Sequence, residues 1–421
     1  MNCPIRKTPR QNTIPVRTDN QAAARPPGPR DPVAHRRLVV VGASVRALAE
    51  SAARAGLDVY AADLFGDRDL LSVARGFQRA VPYPDCLPQL VTAFPPGPWC
   101  YTGGLENHPD LISAISRLRP LAGSTAAAVR RVRDHAWIQR LAEATGLMAP
   151  ETAFDPAGLP LDGSWLVKPR RSAGGHGIRS WRGSTPDPLR PDDWIWQRKA
   201  PGRPWSVALL IDETGCRLLG VSRQLIGSRW TAAKPFHWCG GLDLDPAILP
   251  DRIARPLDAL VRGLAAASGL RGLVGVDLLI DARGGITLLE INPRPTASME
   301  LIERATSLPL AAAHLAAAGL GPPIAQPPDL RRQHHWAKAI LFARRSLSFT
   351  DLTADRLDAL AATWTAEDGW SAAADLPTQP QTIPAGRPVC TVFAAGPSPA
   401  RALRELGRRM RHLRRLLDAE A

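Results

Sequence analysis

Apolar and polar positions along the chain alternate between two periods. From Arg36 to Phe65, RRLVVVGASVRALAESAARAGLDVYAADLF, an apolar run, a Gly turn, an Ala/Leu-faced helical stretch and a second apolar run ending at Asp63 predict a β-α-β unit. PWCYTGGLENHPDLISAISRL adds a strand, a Gly-rich loop and a helix, and the unit closes near Ser124. A helical period runs from Thr125 to Leu147, ending at a Gly before Pro150. SWLVKPRRSAGGHGIRSW then predicts two short strands around a glycine loop, and WIWQRKAPGRPWSVALLID a strand, a Pro/Gly break and another strand. A helix over 251–268 precedes GVDLLIDARGGITLLEIN, two apolar runs joined by a turn, and ASMELIERA follows as a helix. Beyond Pro-rich 322–328, AKAILFA and RPVCTVFAAG predict strands. The last helix carries Leu403, Leu406, Met410, Leu413 and Leu417 on one face and arginines on the other.

The hairpin raises a chemical question. With its turn centred on Arg283 and Gly284, Asp277 faces Glu290 across the strands, and Asn292 shares the face of Glu290. Facing carboxylates repel unless positive charge lies between them. A divalent cation with Asn292 as a neutral oxygen ligand answers that need, and hard oxygen donors suit Mg²⁺ shared with phosphate. A solvated acidic sheet face answers it equally well on the hairpin alone.

At 421 residues the chain predicts several domains. No run is long and apolar enough for a membrane span, the N-terminus has no secretory core, and six scattered cysteines lack any C-x-x-C pair. A soluble, cytoplasmic protein with reduced thiols is expected. The net charge of +14 is concentrated: residues 1–37 carry +6 and residues 400–421 carry +4. Nucleic-acid or membrane binding is therefore disfavoured, and residues 1–35 are expected to be a disordered basic tail. Lysine is rare, with Lys7, Lys168, Lys199, Lys234 and Lys338 against 48 arginines. A retained lysine marks places that need a compact ammonium.

Lys168 ends an apolar strand directly before SAGGHG. Glycines let backbone N–H groups approach phosphate, and the ammonium neutralises it. The order is not that of a Walker A loop, and alone the segment could be an ordinary hairpin. VGASVR lacks the full dinucleotide fingerprint, so with Asp63 a nicotinamide enzyme stays only as an alternative.

Together the lysine, the glycine loop and the acidic hairpin resemble the ATP-grasp superfamily. DLFGDRDL, GGLENHP and EINPRPTASMEL are most similar to its branch of ATP-dependent carboligases related to biotin carboxylase, and to carboxylate-amine ligases of one-carbon cofactor synthesis. The resemblance implies a mixed α/β and α+β fold. Its parts are a Rossmann-like (pre-ATP-grasp) domain over 36–124, an ATP-grasp domain over 125–325 with a lid at about 164–208, and a C-terminal α+β segment over 326–421. It implies ATP, with Mg²⁺ or Mn²⁺ at Asp277, Glu290 and Asn292. Lys168, Ser172, Gly174, Gly175, His176 and Gly177 are implied phosphate contacts, and Gln197, Arg198, Lys199 and Ala200 an adenine hinge.

Arg294 in NPRP matches the family's N-x-R and is implied to stabilise the phosphorylated intermediate, with Lys234 as a second phosphate lysine. Glu106 and Asn107 lie where open α/β sheets bind ligands, with a capping role equally open. Departures are Pro204 at a usual ribose acid, His135 at a usual lysine with Arg131 or Arg133 as substitutes, and no biotin-attachment motif.

The expected reaction joins a small-molecule carboxylate to an amino-acid-like amine through an acyl phosphate, in a homodimer. A methanofuran or tetrahydromethanopterin type of pathway is the finer expectation. A carboxylase, or a regulator with an impaired site, remains the alternative. GGLENHP, WTAAKPFHWCGG and Thr296–Glu300 are expected to choose the substrates.

Overall fold

The computed structural model describes residues 36–184, 190–267, 269–323, 330–364, 369–378 and 380–419. The expected basic tail and most of 322–328 lie outside the described residues.

Strand Arg37–Val41 is apolar and buried from Leu38 onward because both of its faces are covered. Leu38 and Val40 pack with Leu48, Ala311 and Leu315, while Val39 and Val41 pack with Ile112, Ile115 and Val129. It lies inside a four-stranded parallel sheet ordered Ala74–Arg79, Asp58–Asp63, Arg37–Val41, Trp99–Tyr101. The doubly wound start is therefore present. Its edge strand Ala74–Arg79 was not foreseen, since ARGFQR is barely apolar and is held by pairing.

An eight-stranded antiparallel sheet forms the main body, ordered Ile286–Asn292, Gly272–Ile280, Arg203–Asp212, Gly215–Ile226, Trp238–Leu244, His335–Phe342, Pro388–Gly396, Ala373–Ala374. Helix Asp251–Ala267 covers one face through Leu257, Leu260 and Leu264. A small antiparallel sheet, ordered Thr152–Ala153, Trp194–Arg198, Trp165–Pro169, Arg179–Ser180, stands apart around Trp165, Val167, Trp181 and Trp196.

The helical period over 125–147 divides in two, Ala126–Val132 and His135–Ala144. Thr125 accepts from Ala128 N and Asp134 from Ala136 N, so Asp134 starts a new helix instead of continuing the old one. Gly215–Ile226 and Trp238–Leu244, central in the large sheet, were likewise not foreseen. Among the described residues no helix is long and apolar enough to cross a membrane.

Helix Pro399–Ala419 buries Leu406, Met410, Leu413 and Leu417, with Leu403 half-buried. Its arginine face has an exception: Arg409 is buried and donates to Phe393 O at 2.7 Å.

Candidate active site

The hairpin places Asp277 opposite Glu290, although by a different route from the one expected. The turn closes from Asp281 to Gly285, one residue off the predicted centre, and a bulge at Leu289 restores the register before Glu290. Asn292 Nδ2 donates to Asp277 Oδ2 at 3.0 Å and Glu290 Oε1 at 3.2 Å, while its Oδ1 accepts from Arg294 Nη2 at 3.1 Å. The amide thus stands between the two acids with its donor end toward them. Gln224, on an unforeseen strand, donates to Asp277 Oδ1 at 2.6 Å.

Burial, then repulsion from Glu290, pushes the Asp277 carboxyl up. Burial also raises Glu290, but Arg133, the contacts to Asp277 and Asn292, and Lys168 outweigh it and bring it down. Of the two, Asp277 is therefore the carboxyl that takes up a proton more readily, at the place where a cation would sit. Glu290 is open to water at the floor of a cleft, Asp277 is half-buried, and Asn292 is buried.

These residues fit a hard divalent cation. Two carboxylates supply oxygen, a cation would relieve their repulsion, and turning the Asn292 amide over would present Oδ1 instead of Nδ2. Among the described residues no group of three His, Cys, Asp or Glu forms a metal cage, so the remaining positions suit phosphate and water.

Cations ring the pair. Lys168 Nζ donates to Gln197 Oε1, and Gln197 Nε2 donates to Thr152 Oγ1 at 3.2 Å. Burial lowers the Lys168 ammonium while Glu290 raises it. His135 also faces this group and is lowered by burial, then by Lys168 and Arg133. Arg133 donates to Asn107 Oδ1 at 2.9 Å and Arg170 O at 3.1 Å. Arg131 instead points to Gly269, so Arg133 is the substitute the fold brings to the carboxylates.

Arg294 Nη2 donates to Glu106 Oε1 at 2.6 Å, and Glu106 more than offsets the effect of burial on the guanidinium. Asn107 Nδ2 donates to Ser172 O at 3.3 Å, so its amide is spent tying the N-terminal domain to the glycine loop.

That loop is docked. Ser172 Oγ donates to His176 O at 2.6 Å, and Trp238 N to Gly174 O at 3.0 Å. Gly175 has φ +81°, and a Cβ there would lie 1.9 Å from Phe236 O, so the close approach requires glycine. Gly174 and Gly177 also have positive φ. The His176 and His237 rings are 4.2 Å apart. Burial, Arg387 and Lys234 lower His176; burial, His176 and Lys234 lower His237.

Lys234 is exposed at this loop contact, its Cε 3.3 Å from a Cβ placed on Gly386. It sits at the tip of the glycine loop and not among the contacts of the carboxylate pair. In the hinge, the Arg198 and Lys199 N–H groups donate to Glu151 O and Ser164 O at 2.9 and 2.8 Å, and half-buried Ala200 follows. Lys199 Nζ donates to Ser180 Oγ at 2.9 Å. Pro204 belongs to strand Arg203–Asp212, paired with Leu279.

Glu300, expected near the substrate, is instead buried against Arg46 and Lys338. Gln224 had no signal in the sequence, because its strand is mixed in character and its contact is across the sheet.

Residues 135–298 match the ATP-grasp domain family. The fold is similar to that of carboxyaminoimidazole ribonucleotide synthase from Aspergillus clavatus, solved with ATP, at 16% identity and TM-score 0.67 over 92% of this chain and 99% of that one. Biotin carboxylase from Campylobacter jejuni matches at 12% identity and TM-score 0.63, over 87% and 89%. L-amino acid ligase from Bacillus licheniformis matches at 14% identity and TM-score 0.62, over 90% and 97%. A search of curated proteins finds no match. The chain thus has the ATP-grasp fold, and residues 135–298 match an ATP-grasp domain.

Proposed function

We propose that this protein is an ATP-dependent carboxylate-amine ligase that forms an amide through an acyl phosphate, releasing ADP and phosphate. The observation that carries the reading is the facing Asp277–Glu290 pair, ringed by Lys168, Arg133 and Arg294 beneath a docked glycine loop. A charge-poor carboxylate floor with cations at its rim suits a metal-bound triphosphate.

In this reading Lys168 leaves Gln197 for phosphate, and the N–H groups around Gly174–Gly177 cover the phosphates. Asp277, Glu290 and Asn292 hold Mg²⁺, which when bound neutralises the transferring phosphoryl group. Arg294, held by Glu106, faces the charge of the acyl phosphate. Closure of the lid, expected at about 164–208 but ending before strand Arg203–Asp212 of the large sheet, excludes water from the intermediate.

Amino-acid-like reactants and a cytoplasmic setting belong to the same proposal. The setting is supported by Cys86, Cys100, Cys216, Cys239 and Cys390 being free thiols. A place in one-carbon cofactor synthesis rests on the sequence resemblance alone.

Incubation with ATP, Mg²⁺ and pools of acids and amines, followed by mass spectrometry of what is consumed, tests the reading. ADP release that depends on a carboxylate, with loss of one acid and one amine, is expected. AMP release removes the acyl phosphate. Bicarbonate as the sole acid makes the protein a carboxylase, and tight ATP binding without turnover makes it a regulator.

A further inference from the structure

Close to Arg294, three buried polar atoms have no partner within the protein: the Tyr83 hydroxyl, Glu106 Oε2 and Arg294 Nε. Buried polar atoms are nearly always paired, so a cluster of orphans marks a place meant to be filled. The three belong to one neighbourhood. Arg294 holds the other oxygen of the same Glu106 carboxylate. Burial raises the Tyr83 phenol first, and Glu106 and Arg294 are the next charges it feels.

Between them runs the Gly103–Gly104 turn. A Cβ on Gly103 would lie 3.4 Å from Arg294 Cζ, and one on Gly104, at φ +100°, would lie 2.6 Å from the Tyr83 hydroxyl. The two glycines let both side chains close on the loop that carries Glu106. Glu106 is 2% exposed, and its free oxygen and the Tyr83 hydroxyl do not reach each other. Both are left with unused hydrogen-bonding capacity beside the Arg294–Glu106 pair.

The chemistry of the missing group follows from the inventory. Glu106 Oε2 only accepts, the Tyr83 hydroxyl accepts or donates, and Arg294 Nε–H only donates. A group with N–H donors toward Glu106 and Tyr83, beside an anionic oxygen toward Arg294, satisfies all three. An amine poised next to an acyl phosphate has this pattern.

We infer that Glu106 and Tyr83 form the binding site for the amine substrate, a primary amine of amino-acid type, with Tyr83 as a positioning residue. The inference rests on the ligase reading above. The amine lone pair forms the C–N bond, and the bond from the acyl carbon to the phosphate oxygen breaks with its electron pair on phosphate. The proton leaving nitrogen passes to Glu106 Oε2 and on to the departing phosphate, so the carboxylate is restored.

The test uses the full chain, with Tyr83→Phe removing only the hydroxyl and Glu106→Gln keeping the shape. Each protein is titrated by calorimetry with a non-hydrolysable ATP analogue and Mg²⁺, and then, nucleotide-loaded, with glycine, the other common L-amino acids and ammonium chloride. The loaded wild type is expected to bind at least one of these amines. Tyr83→Phe should weaken that amine about tenfold and Glu106→Gln by more, in keeping with hydrogen bonds to neutral and charged groups. Nucleotide affinity should stay within about twofold in both, a split that a merely structural role would not produce.

If no amine binds the loaded wild type, or if both variants bind it as tightly as wild type does, water fills the space and the amine site is wrong. If the analogue itself does not bind, the nucleotide reading fails first and the amine site falls with it.

Discussion

Two clusters of charge, one around Asp277 and Glu290 and one around Glu300, are built in opposite ways. Around Asp277 and Glu290, like charges face each other with only neutral amides between, and the cations stand back at the rim. Around Glu300, Arg46, Lys338 and Arg304 all lie within ion-pair distance of the one carboxylate. Arg46 binds both Glu300 oxygens and reaches Asp375 at 2.9 Å, and Lys338 donates to Glu300 at 2.9 Å. Arg304 stacks 3.5 Å over the Phe393 ring.

The second cluster joins helix Arg46–Arg54, helix Met299–Thr306, strand His335–Phe342 and Asp375, so it fastens three regions of the chain together. Its burial would raise Glu300, yet Arg46, Lys338 and Arg304 hold it well below the usual carboxylate range. The comparison teaches that buried charge becomes a site when its opposite is withheld. Where the opposite is supplied, it becomes a joint.

Breaking the joint should give the largest effect. Glu300→Ala strands Arg46 and Lys338 in the interior and is expected to cost about 3–5 kcal/mol. Urea unfolding would read this as a lower midpoint; an unchanged midpoint would show that the cluster relaxes or hydrates.

The matching change at the site should act on chemistry instead. Glu290→Gln is expected to lower ADP release about a hundredfold or more, by analogy with loss of a main charge-stabilising group, while the melting temperature of the free protein stays close to wild type. Undiminished turnover would sink the metal assignment.

A third measurement sharpens the contrast through protons. The free site holds a proton on Asp277, whose carboxyl is pushed up to about 7. A cation must displace that proton, so Mg²⁺ affinity should fall about tenfold for each pH unit below that value and level off above it. Calorimetric Mg²⁺ titrations across pH 5–9, on the order of the range set by this linkage, would show the break. A flat profile would mean that the cation does not touch Asp277.

The smallest effect concerns Asp67, an exception within the joint. Burial, then Asp375, Asp69 and Asp63, raise it to about 9. Its native value lies above its unfolded value of 3.8, so the native state keeps a proton that the unfolded chain loses. Stability attributable to this group therefore declines as pH rises from 3.8 toward about 9. Asp67→Asn is expected to match wild type near the bottom of that window and to exceed it by about 1–2 kcal/mol near the top, the scale of a relieved buried polar group. Thermal melts at both ends would check it, and equal gaps at the two ends would refute the assignment.

Part of this contrast could be read in advance. Alternation in GVDLLI and ITLLEIN put Asp277, Glu290 and Asn292 on one face, and SAGGHG after Lys168 marked the glycine loop that docks beside Trp238. Even so, the pairing of Asp277 with Glu290 came out right through two compensating departures. The turn is displaced, and the bulge at Leu289 takes up the difference, beside Met148, which bonds to Ile286 and Leu288 along the outer edge of the strand. The turn is set locally, by Asp281 accepting from the Arg283 and Gly285 N–H groups, whereas the bulge lies beside a strand edge held by Met148, far along the chain.

The sequence by itself determined which residues share the hairpin face and which form the glycine loop, since periodicity and glycine content act over a few residues. Tertiary structure alone decided which ionisable groups were given partners. Arg46 and Glu300 lie 254 residues apart, as do no two residues of the carboxylate hairpin, and their contact is created only when the domains dock. It also decided that Tyr83, Glu106 and Arg294, from three separate parts of the chain, each keep a buried polar atom without a partner in the protein. A side chain's partner is set by distance in the folded chain, and that distance is not written in its neighbours.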